Sequence, residues 1–350
     1  MVATSISTDP PGVRRAALAL HAIMAGTGDP YAVLTPLRMG LLRGLHDGLA
    51  VPQLAERLGL TPDDVRQELA SVVVASLAVE EDGGYCSTFL IADAEETRRV
   101  EAHARGAGRA LADALLTHWA EVEATYRELA IARTWGLREV GFVLVGDRIL
   151  DVGLLRALAR EGTLMPPAPA RPGPGRPDAR YYFWMIEGDP DHLGRYGQRR
   201  NTLPWEGWAL LTFGQYQVGE ARNEARDALE AAARAVLAAG QAPTPKALAG
   251  SLGLPAVAPR DASRWAELGR RLGAELLRVY RGREDEIRTL HAGLRASRYL
   301  PNGFAEFFCW YDHLAYAHAL DALAAEGMLA IPPSRFGAAI WYEGPGVGEF

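Results

Sequence analysis

One segment of the chain occurs twice, and it constrains the fold more than any other feature. The first copy, Ala157–Leu164 (ALAREGTL), is followed by Pro-Pro, an apolar run that starts with Arg, and Glu-Gly at 187–188. The second copy, Ala322–Leu329 (ALAAEGML), is followed by the same features, with Glu-Gly at 343–344. Both copies predict an amphipathic helix that ends at Gly and leads into an extended apolar hairpin, because Gly tolerates the left-handed conformation that ends helices.

A compact helical module is predicted upstream of the first copy. Leu37–Leu49 and Gln53–Leu58 have the apolar spacing of helices, and Thr61, followed by Pro-Asp-Asp, is typical of the start of a third helix. Two predicted strands, Leu77–Val79 and Tyr85–Ile91, flank an acidic turn that ends in Gly-Gly. The order is therefore three helices followed by a two-stranded hairpin.

This module resembles the winged helix-turn-helix superfamily through the motif Leu54–Thr61 (LAERLGLT), with apolar Val65 and Leu69 at the matching offsets. It is similar to bacterial repressors of the metal-sensing type, and equally to the dimerisation domains that precede some small-molecule O-methyltransferases. The resemblance covers about residues 36–92, and it implies a winged-helix fold without selecting a function.

Part of the motif recurs as Leu248–Leu254 (LAGSLGL), again behind a proline. Together with the repeated segment, this predicts weaker winged-helix repeats at about 139–190 and 241–345. Chance similarity in a chain rich in Ala and Leu is the alternative interpretation.

The predicted fold class is mainly α (α+β), with tandem winged-helix modules and two-stranded wings joined by long helices. Helices are predicted at 11–25, 97–133, 220–239 and 263–296 from apolar spacing. Pro166–Asp178 is too rich in Pro and Gly for regular structure, and it is interpreted as a wing tip or a linker. The expected domains are an N-terminal helix or arm at 1–30, a first module at 31–96, a helical spine at 97–138, a second module with a Pro/Gly-rich wing at 139–218, and a helical segment with a third module at 219–350.

Composition excludes several classes of protein. The chain has 350 residues, 49% hydrophobic and 23% charged, and no apolar run approaches the roughly 20 residues that cross a bilayer. The N-terminus lacks the pattern of a signal peptide, so a cytoplasmic protein is expected, with no membrane partner. The two cysteines, Cys86 and Cys309, and the eight scattered histidines match no metal-site spacing, so we expect neither a metal nor a cofactor.

DNA contact depends on local charge, because the net charge is −6 and phosphate binding needs a basic surface. The predicted recognition helix of the first module carries Asp63, Asp64 and Glu68 against Arg66, so this module is expected to contact protein rather than DNA. The middle region and the helix after Leu254 carry more arginines than carboxylates. The candidate DNA-binding residues are Arg156, Arg160, Arg171, Arg176, Arg180, Arg195, Arg199, Arg200, Arg260 and Arg264. Solvated arginines paired with nearby carboxylates are the alternative.

Aromatic residues cluster in two places, where they predict either core packing or a pocket for a flat ligand. The candidate pocket residues are Trp184, Trp205, Trp208, Gln215, Tyr216, Gln217, Trp310 and Tyr311. The Gln-Tyr-Gln triplet resembles a motif of a bacterial DNA glycosylase family built from tandem winged helices, although the surrounding sequence differs. No nucleophile motif or phosphate-binding loop is present, so no catalytic residue is assigned.

Three functions are therefore open. The first is a non-enzymatic winged-helix protein in transcriptional regulation or another DNA-associated role. It would bind double-stranded DNA, associate with itself as a dimer, and respond to a small aromatic effector. The second is a winged-helix scaffold that binds a small aromatic ligand for resistance, sequestration or biosynthesis. The third is a DNA glycosylase-like repair enzyme.

Overall fold

The structure is a computed structural model that describes residues 20–81, 83–173, 175–188, 196–215, 224–295 and 303–344. It is an α+β protein with 58% helix and 18% strand, which confirms the predicted mainly helical class. Two compact units share the chain. Unit 1 comprises residues 1–99, 167–192 and 288–310, and unit 2 comprises residues 100–166, 193–287 and 311–350.

The α-helices follow the chain in an order close to the predicted one. They are α1 Pro36–His46, α2 Val51–Leu58, α3 Pro62–Val74, α4 Ala94–Leu116, α5 Trp119–Arg127, α6 Leu137–Leu144, α7 Val152–Glu161, α8 Glu224–Ala238, α9 Pro245–Leu252, α10 Pro259–Arg281, α11 Glu284–Ala292 and α12 Gly303–Ala325. A π-helical segment, Gly146–Asp151, lies between α6 and α7. The helices predicted at 97–133 and 263–296 are each divided, at residues 117–118 and at residues 282–283.

The strands form three sheets. They are β1 Leu20–Thr27, β2 Ala78–Glu81, β3 Gly84–Ser87, β4 Leu90–Ala92, β5 Arg180–Glu187, β6 Tyr196–Thr202, β7 Trp208–Gln215, β8 Ala256–Val257 and β9 Phe336–Tyr342. Their orders are β1-β5-β4, β2-β3 and β6-β7-β9-β8. The first two sheets belong to unit 1 and the third to unit 2.

The helical module of unit 1 forms as predicted. Thr61 begins α3 with reciprocal bonds, since its hydroxyl accepts from the Asp64 amide at 3.2 Å and the Asp64 carboxylate accepts from the Thr61 amide at 3.2 Å. Gly59 ends α2 at φ +68°, a conformation that favours glycine. The predicted returning strand 85–91 is divided in two, because β3 pairs with β2 whereas β4 leaves the hairpin to pair with β5.

The helix predicted over residues 11–25 is wrong where the structure describes it. Residues 20–27 form β1, which pairs antiparallel with β5 from Leu20 opposite Glu187 to Thr27 opposite Arg180. Backbone pairing with a strand more than 150 residues away overrides the local apolar spacing, which fits a helix and a buried strand equally well. Residues 11–19 lie outside the described part of the chain.

The Pro/Gly-rich segment folds back so that residues 169–171 lie against residues 179–181. The Arg171 amide donates to the Ala179 carbonyl at 2.9 Å, and the Tyr181 amide donates to the Pro169 carbonyl at 3.2 Å. This resembles the predicted wing tip, but the strand that follows does not complete a two-stranded wing. β5 instead joins β1 and β4 in unit 1, whereas α7 belongs to unit 2.

The repeated segment marks a repeat of topology. Strand β5 has an antiparallel neighbour, β1, and a short parallel neighbour, β4, and β9 has the same arrangement with β7 and β8. A Cβ added to Gly26 of β1 would lie 2.5 Å from the Arg180 carbonyl oxygen, and one added to Gly214 of β7 would lie 2.4 Å from the Arg335 carbonyl oxygen. Residues of about 20–188 and 208–344 are therefore topologically equivalent repeats.

The second repeat differs from the first by a deletion. Helix α9 carries the recurring LAGSLGL motif and ends at Gly253 with φ +64°, as α2 ends at Gly59. The chain then enters β8 directly, without counterparts of α3, β2 and β3 in the described residues. Helix α9 packs on α8 and β9, whereas α10 packs mainly on α7 and the π-helical segment. The elements expected of the third module are thus incomplete.

Candidate functional site

Arg171, one of the predicted DNA-binding residues, is buried at 5% exposure and is not available to phosphate. Its guanidinium lies 2.9 Å from the Glu306 carboxylate and donates to the carbonyl and hydroxyl oxygens of Thr88, each at 2.9 Å. Glu306 also accepts the backbone amides of Leu90 and Phe183, both at 2.9 Å. This ion pair therefore joins β4, β5, α12 and the folded-back segment within unit 1.

The other predicted arginines lie in both units. Arg176 and Arg180 are exposed in unit 1, and Arg160, Arg199, Arg200 and Arg260 are exposed in unit 2. Arg156 is half-buried, Arg264 pairs with Glu128, and Arg195 lies outside the described residues.

Strand β6, at the edge of its sheet, carries two of these arginines at consecutive positions, so that their side chains project to opposite faces of the sheet. The Arg199 side chain is 51% exposed and lies 3.5 Å from Glu230, and the Arg200 side chain is 43% exposed and lies 2.7 Å from Glu343. Both carboxylates are buried, at 6% and 3%. The solvent-facing charge of this strand is therefore cationic. Trp205, at the turn between β6 and β7, is half-buried.

Three of the eight predicted pocket residues are fully buried in cores. Trp184 and Trp310 are fully buried in unit 1, and Tyr311 is fully buried in unit 2. The Tyr311 hydroxyl lies 2.8 Å from Nδ1 of His103. Trp208 is half-buried and packs edge-on against Tyr342 with ring centroids 5.6 Å apart. Gln215 is half-buried at the end of β7, whereas Tyr216 and Gln217 lie outside the described residues.

The most unusual site is a buried cluster of charges in unit 2. The π-helical segment contributes Asp147, Arg148 and Asp151, α12 contributes Asp312, and Glu343 follows β9; all five are at most 6% exposed. This cluster, hereafter the acidic cluster, holds four carboxylates and one buried guanidinium. Burying charges is costly without full compensation, so a cluster of this kind is weak evidence for stabilisation and makes a candidate functional site.

A π-helical turn gives the cluster its geometry. A π-turn widens the helix and frees a carbonyl, and such turns are frequent at functional sites. Here the indole of Trp265 donates to the carbonyl of Leu144 at 2.9 Å. Close packing holds the segment on α10, since a Cβ on Gly269 would lie 2.5 Å from the Arg148 carbonyl oxygen and one on Gly273 would lie 2.2 Å from the Gly153 carbonyl oxygen.

Ion pairs connect Asp147, Arg148 and Glu343 in a continuous chain of contacts. Nε of Arg148 lies 2.9 Å from Asp147, and its Nη2 donates to Glu343 at 2.9 Å. The Arg148 guanidinium also lies over the Trp341 ring, 4.5 Å from the centroid. Glu343 in turn pairs with Arg200, whose side chain reaches solvent.

Burial changes the proton affinity of the aspartates. It raises the pKa of Asp147 to about 6, although the Arg148 charge acts in the opposite direction. Burial raises the pKa of Asp312 to about 7, although the Tyr280 hydroxyl donates to it at 2.6 Å. The pKa of Asp151 is raised well above its ordinary value by burial, and further by the charges of Asp147 and Asp312. The cluster therefore holds protons near neutral pH.

The sequence contains a signal for Asp147 and Asp312 that counting charges along the chain misses. Asp147 and Asp312 each precede the glycine that ends the repeated helix, Gly162 or Gly327, by 15 residues. They are equivalent positions of the two repeats, and Asp151 feels the charge of both. Aligning the two copies over a longer stretch would have identified them.

Metal and membrane sites are not found in the part of the chain that the structure describes. There, no group of three or more His, Cys, Asp or Glu side chains could hold a metal ion. Within the same residues, every helix is too short or too polar to cross a bilayer.

Comparison with known proteins gives no relative. No family model matches the chain, and no match was found among curated proteins or solved structures.

Proposed function

We propose that this protein is a winged-helix protein with a DNA-associated role, and that its β6–β7 hairpin contacts the phosphate backbone. The observation that carries the proposal is the pair Arg199 and Arg200, which expose cationic groups while their partner carboxylates are buried. The half-buried Trp205 at the turn adds a ring suited to stacking. An edge hairpin with exposed arginines and an aromatic residue at its turn offers the cationic donors and the ring that a nucleic-acid backbone and its bases bind.

In this proposal, residues 36–87 form a winged helix that does not bind DNA. Helix α3 exposes Asp63 and Asp64, and its Arg66 already pairs with Asp63 at 2.7 Å. The adjoining hairpin exposes Glu80 and Glu81. Phosphate would be repelled by this surface, so contact with protein, including self-association, is its proposed use.

The test is the salt dependence of binding to mixed-sequence duplex DNA. Replacing Arg199 and Arg200 with Glu should weaken binding and lower the slope of log K against log[salt] by about 2, one for each lost phosphate contact. The matched control reverses Arg105 and Arg127, which are each 70% exposed, and should change the slope little. No binding at low salt, or equal losses in the two double variants, would refute the proposal.

A further inference from the structure

The acidic cluster is linked to the proposed DNA-binding surface through a single chain of ion pairs. Arg200 is exposed, its partner Glu343 is buried, and Glu343 shares its second oxygen with Arg148, which lies beside Asp147. Arg199, the neighbouring residue, points to Glu230 on α8 instead. The two arginines thus differ in their surroundings, since their side chains project to opposite faces of the sheet and only Arg200 is paired with a member of the cluster.

We propose that the acidic cluster is a proton-uptake site coupled to Arg200, so that protonation of the cluster releases Arg200 towards a bound phosphate. This inference rests on the proposed function for the identity of the anion. When a phosphate draws Arg200 away from Glu343, the buried carboxylates lose a cation. One of them then takes a proton from solvent, which restores the charge balance. Protonation and phosphate binding therefore favour each other.

The charged groups around Asp147 favour proton uptake when Arg200 leaves Glu343. The π-helical segment contributes Arg148 and Asp151, and Glu343 faces it from the end of β9. Helix α12 contributes Asp312, which Tyr280 of α10 binds. Two further groups, Arg156 of α7 and Arg200 of β6, act on Glu343. The acids outnumber the buried cations, so loss of Arg200 leaves an excess negative charge that uptake of a proton would offset.

The repeat supplies a second, independent observation. Asp147 and Asp312 occupy the same position in two repeats whose sequences otherwise differ widely around them. Both are 0% exposed, and Asp312 has one carboxylate oxygen without a hydrogen-bond donor in the structure. A costly buried acid kept at both equivalent positions indicates a shared role rather than packing.

The experiment compares the pH dependence of stability for Arg200→Gln and Arg199→Gln in the full chain without DNA. Folded-state pKa values above the unfolded values mean that stability falls as pH rises from about 4 through neutrality. The onset near pH 4 is set by the unfolded-state pKa values and stays in place. Removing the Arg200 charge should move the upper end of the fall to higher pH by up to about one pH unit, because Glu343 loses the cation that offsets part of the negative charge of the cluster. Arg199→Gln should leave it in place, and Arg200→Lys should restore the wild-type profile.

DNA binding gives the second readout. Wild-type affinity for mixed-sequence duplex DNA should increase by up to about tenfold for each unit of falling pH between 8 and 6, the limit for one linked proton. Asp147→Asn should remove most of this dependence. Coincident stability profiles for Arg200→Gln and Arg199→Gln would overturn the coupling. A shifted profile without DNA binding at any pH would instead overturn the proposed function and retain the coupling.

Discussion

Replacing Arg171 with Met should destabilise unit 1 strongly, because it leaves the Glu306 carboxylate buried without a cation. Glu306 is 2% exposed, and it would keep only the amides of Leu90 and Phe183 as donors. Breaking a buried ion pair from one side costs about 3–5 kcal/mol. Thr88 would also lose the donors to its carbonyl and hydroxyl oxygens. Since whole domains are stable by only about 5–15 kcal/mol, the loss is a large fraction of the total.

Two measurements check this expectation. Urea unfolding gives the change in free energy, and hydrogen exchange with mass spectrometry locates it. Exchange should accelerate in peptides that cover β4 and β5, because Glu306 holds an amide of each strand. Peptides from β7 and β9 in unit 2 serve as the internal reference.

Variants of the partner separate the charge from the packing. Arg171→Met combined with Glu306→Gln should recover a substantial part of the loss, because Gln is uncharged and its carbonyl still accepts an amide. Arg171→Lys keeps the charge but not the planar fork that reaches both Thr88 oxygens, so an intermediate loss is expected. The reasoning would be refuted if Arg171→Met lowered the free energy of unfolding by less than about 1 kcal/mol.

Two further predictions test the geometry and the titration of unit 2. Gly273→Ala should destabilise the protein by roughly 1–3 kcal/mol, because its Cβ would lie 2.2 Å from the Gly153 carbonyl oxygen. Gly250→Ala, with open space around its Cβ, should stabilise α9 by about 1 kcal/mol or less. Equal melting temperatures for the two variants would contradict the packing argument. Asp312→Asn keeps an acceptor for Tyr280 but removes the charge whose pKa of about 7 makes stability fall as pH rises towards neutrality. Its free energy of unfolding should exceed that of the wild type at pH 8 by at most about 4 kcal/mol, by less than half of that at pH 5, and the two should converge only below about pH 4, the unfolded-state pKa of Asp. A constant difference between the two pH values would count against the assignment.

Local chemistry made part of this fold predictable. The cap at Thr61, the prolines at helix starts and the glycines at helix ends act within one turn of the chain, so α1 to α3 and both copies of the repeated helix were predictable from the sequence. What could not be predicted depends on distant partners. The local sequence of β1 predicts a helix, and only its pairing with β5 makes it a strand. Arg171 has the sequence context of an exposed cation, and only its ion pair with Glu306 explains its burial.

The candidate site was hidden for a related reason. Charge counts along a window treat every arginine and aspartate as solvated, whereas burial decides which of them carry chemistry. Asp147 and Asp312 are recognisable as equivalent residues only when the alignment of the two copies is extended upstream of Gly162 and Gly327. The winged-helix resemblance covers the first module alone, and the recurring LAGSLGL motif produced the same short helix without the elements that complete such a module.

The order in which the ribosome releases the chain has a consequence for its folding. Each unit is assembled from three separate stretches, and unit 1 requires residues as late as Trp310. The Arg171–Glu306 pair cannot form until the second partner, 135 positions later, has emerged. At synthesis rates of about 5–20 residues per second, the first module waits several seconds for β5, whose side chains complete its apolar core. Unit 1 therefore cannot complete its fold before residue 310 has emerged, and neither unit corresponds to one contiguous fragment of the chain. A nascent chain of this kind should depend on chaperones that shield apolar surface until those residues are available.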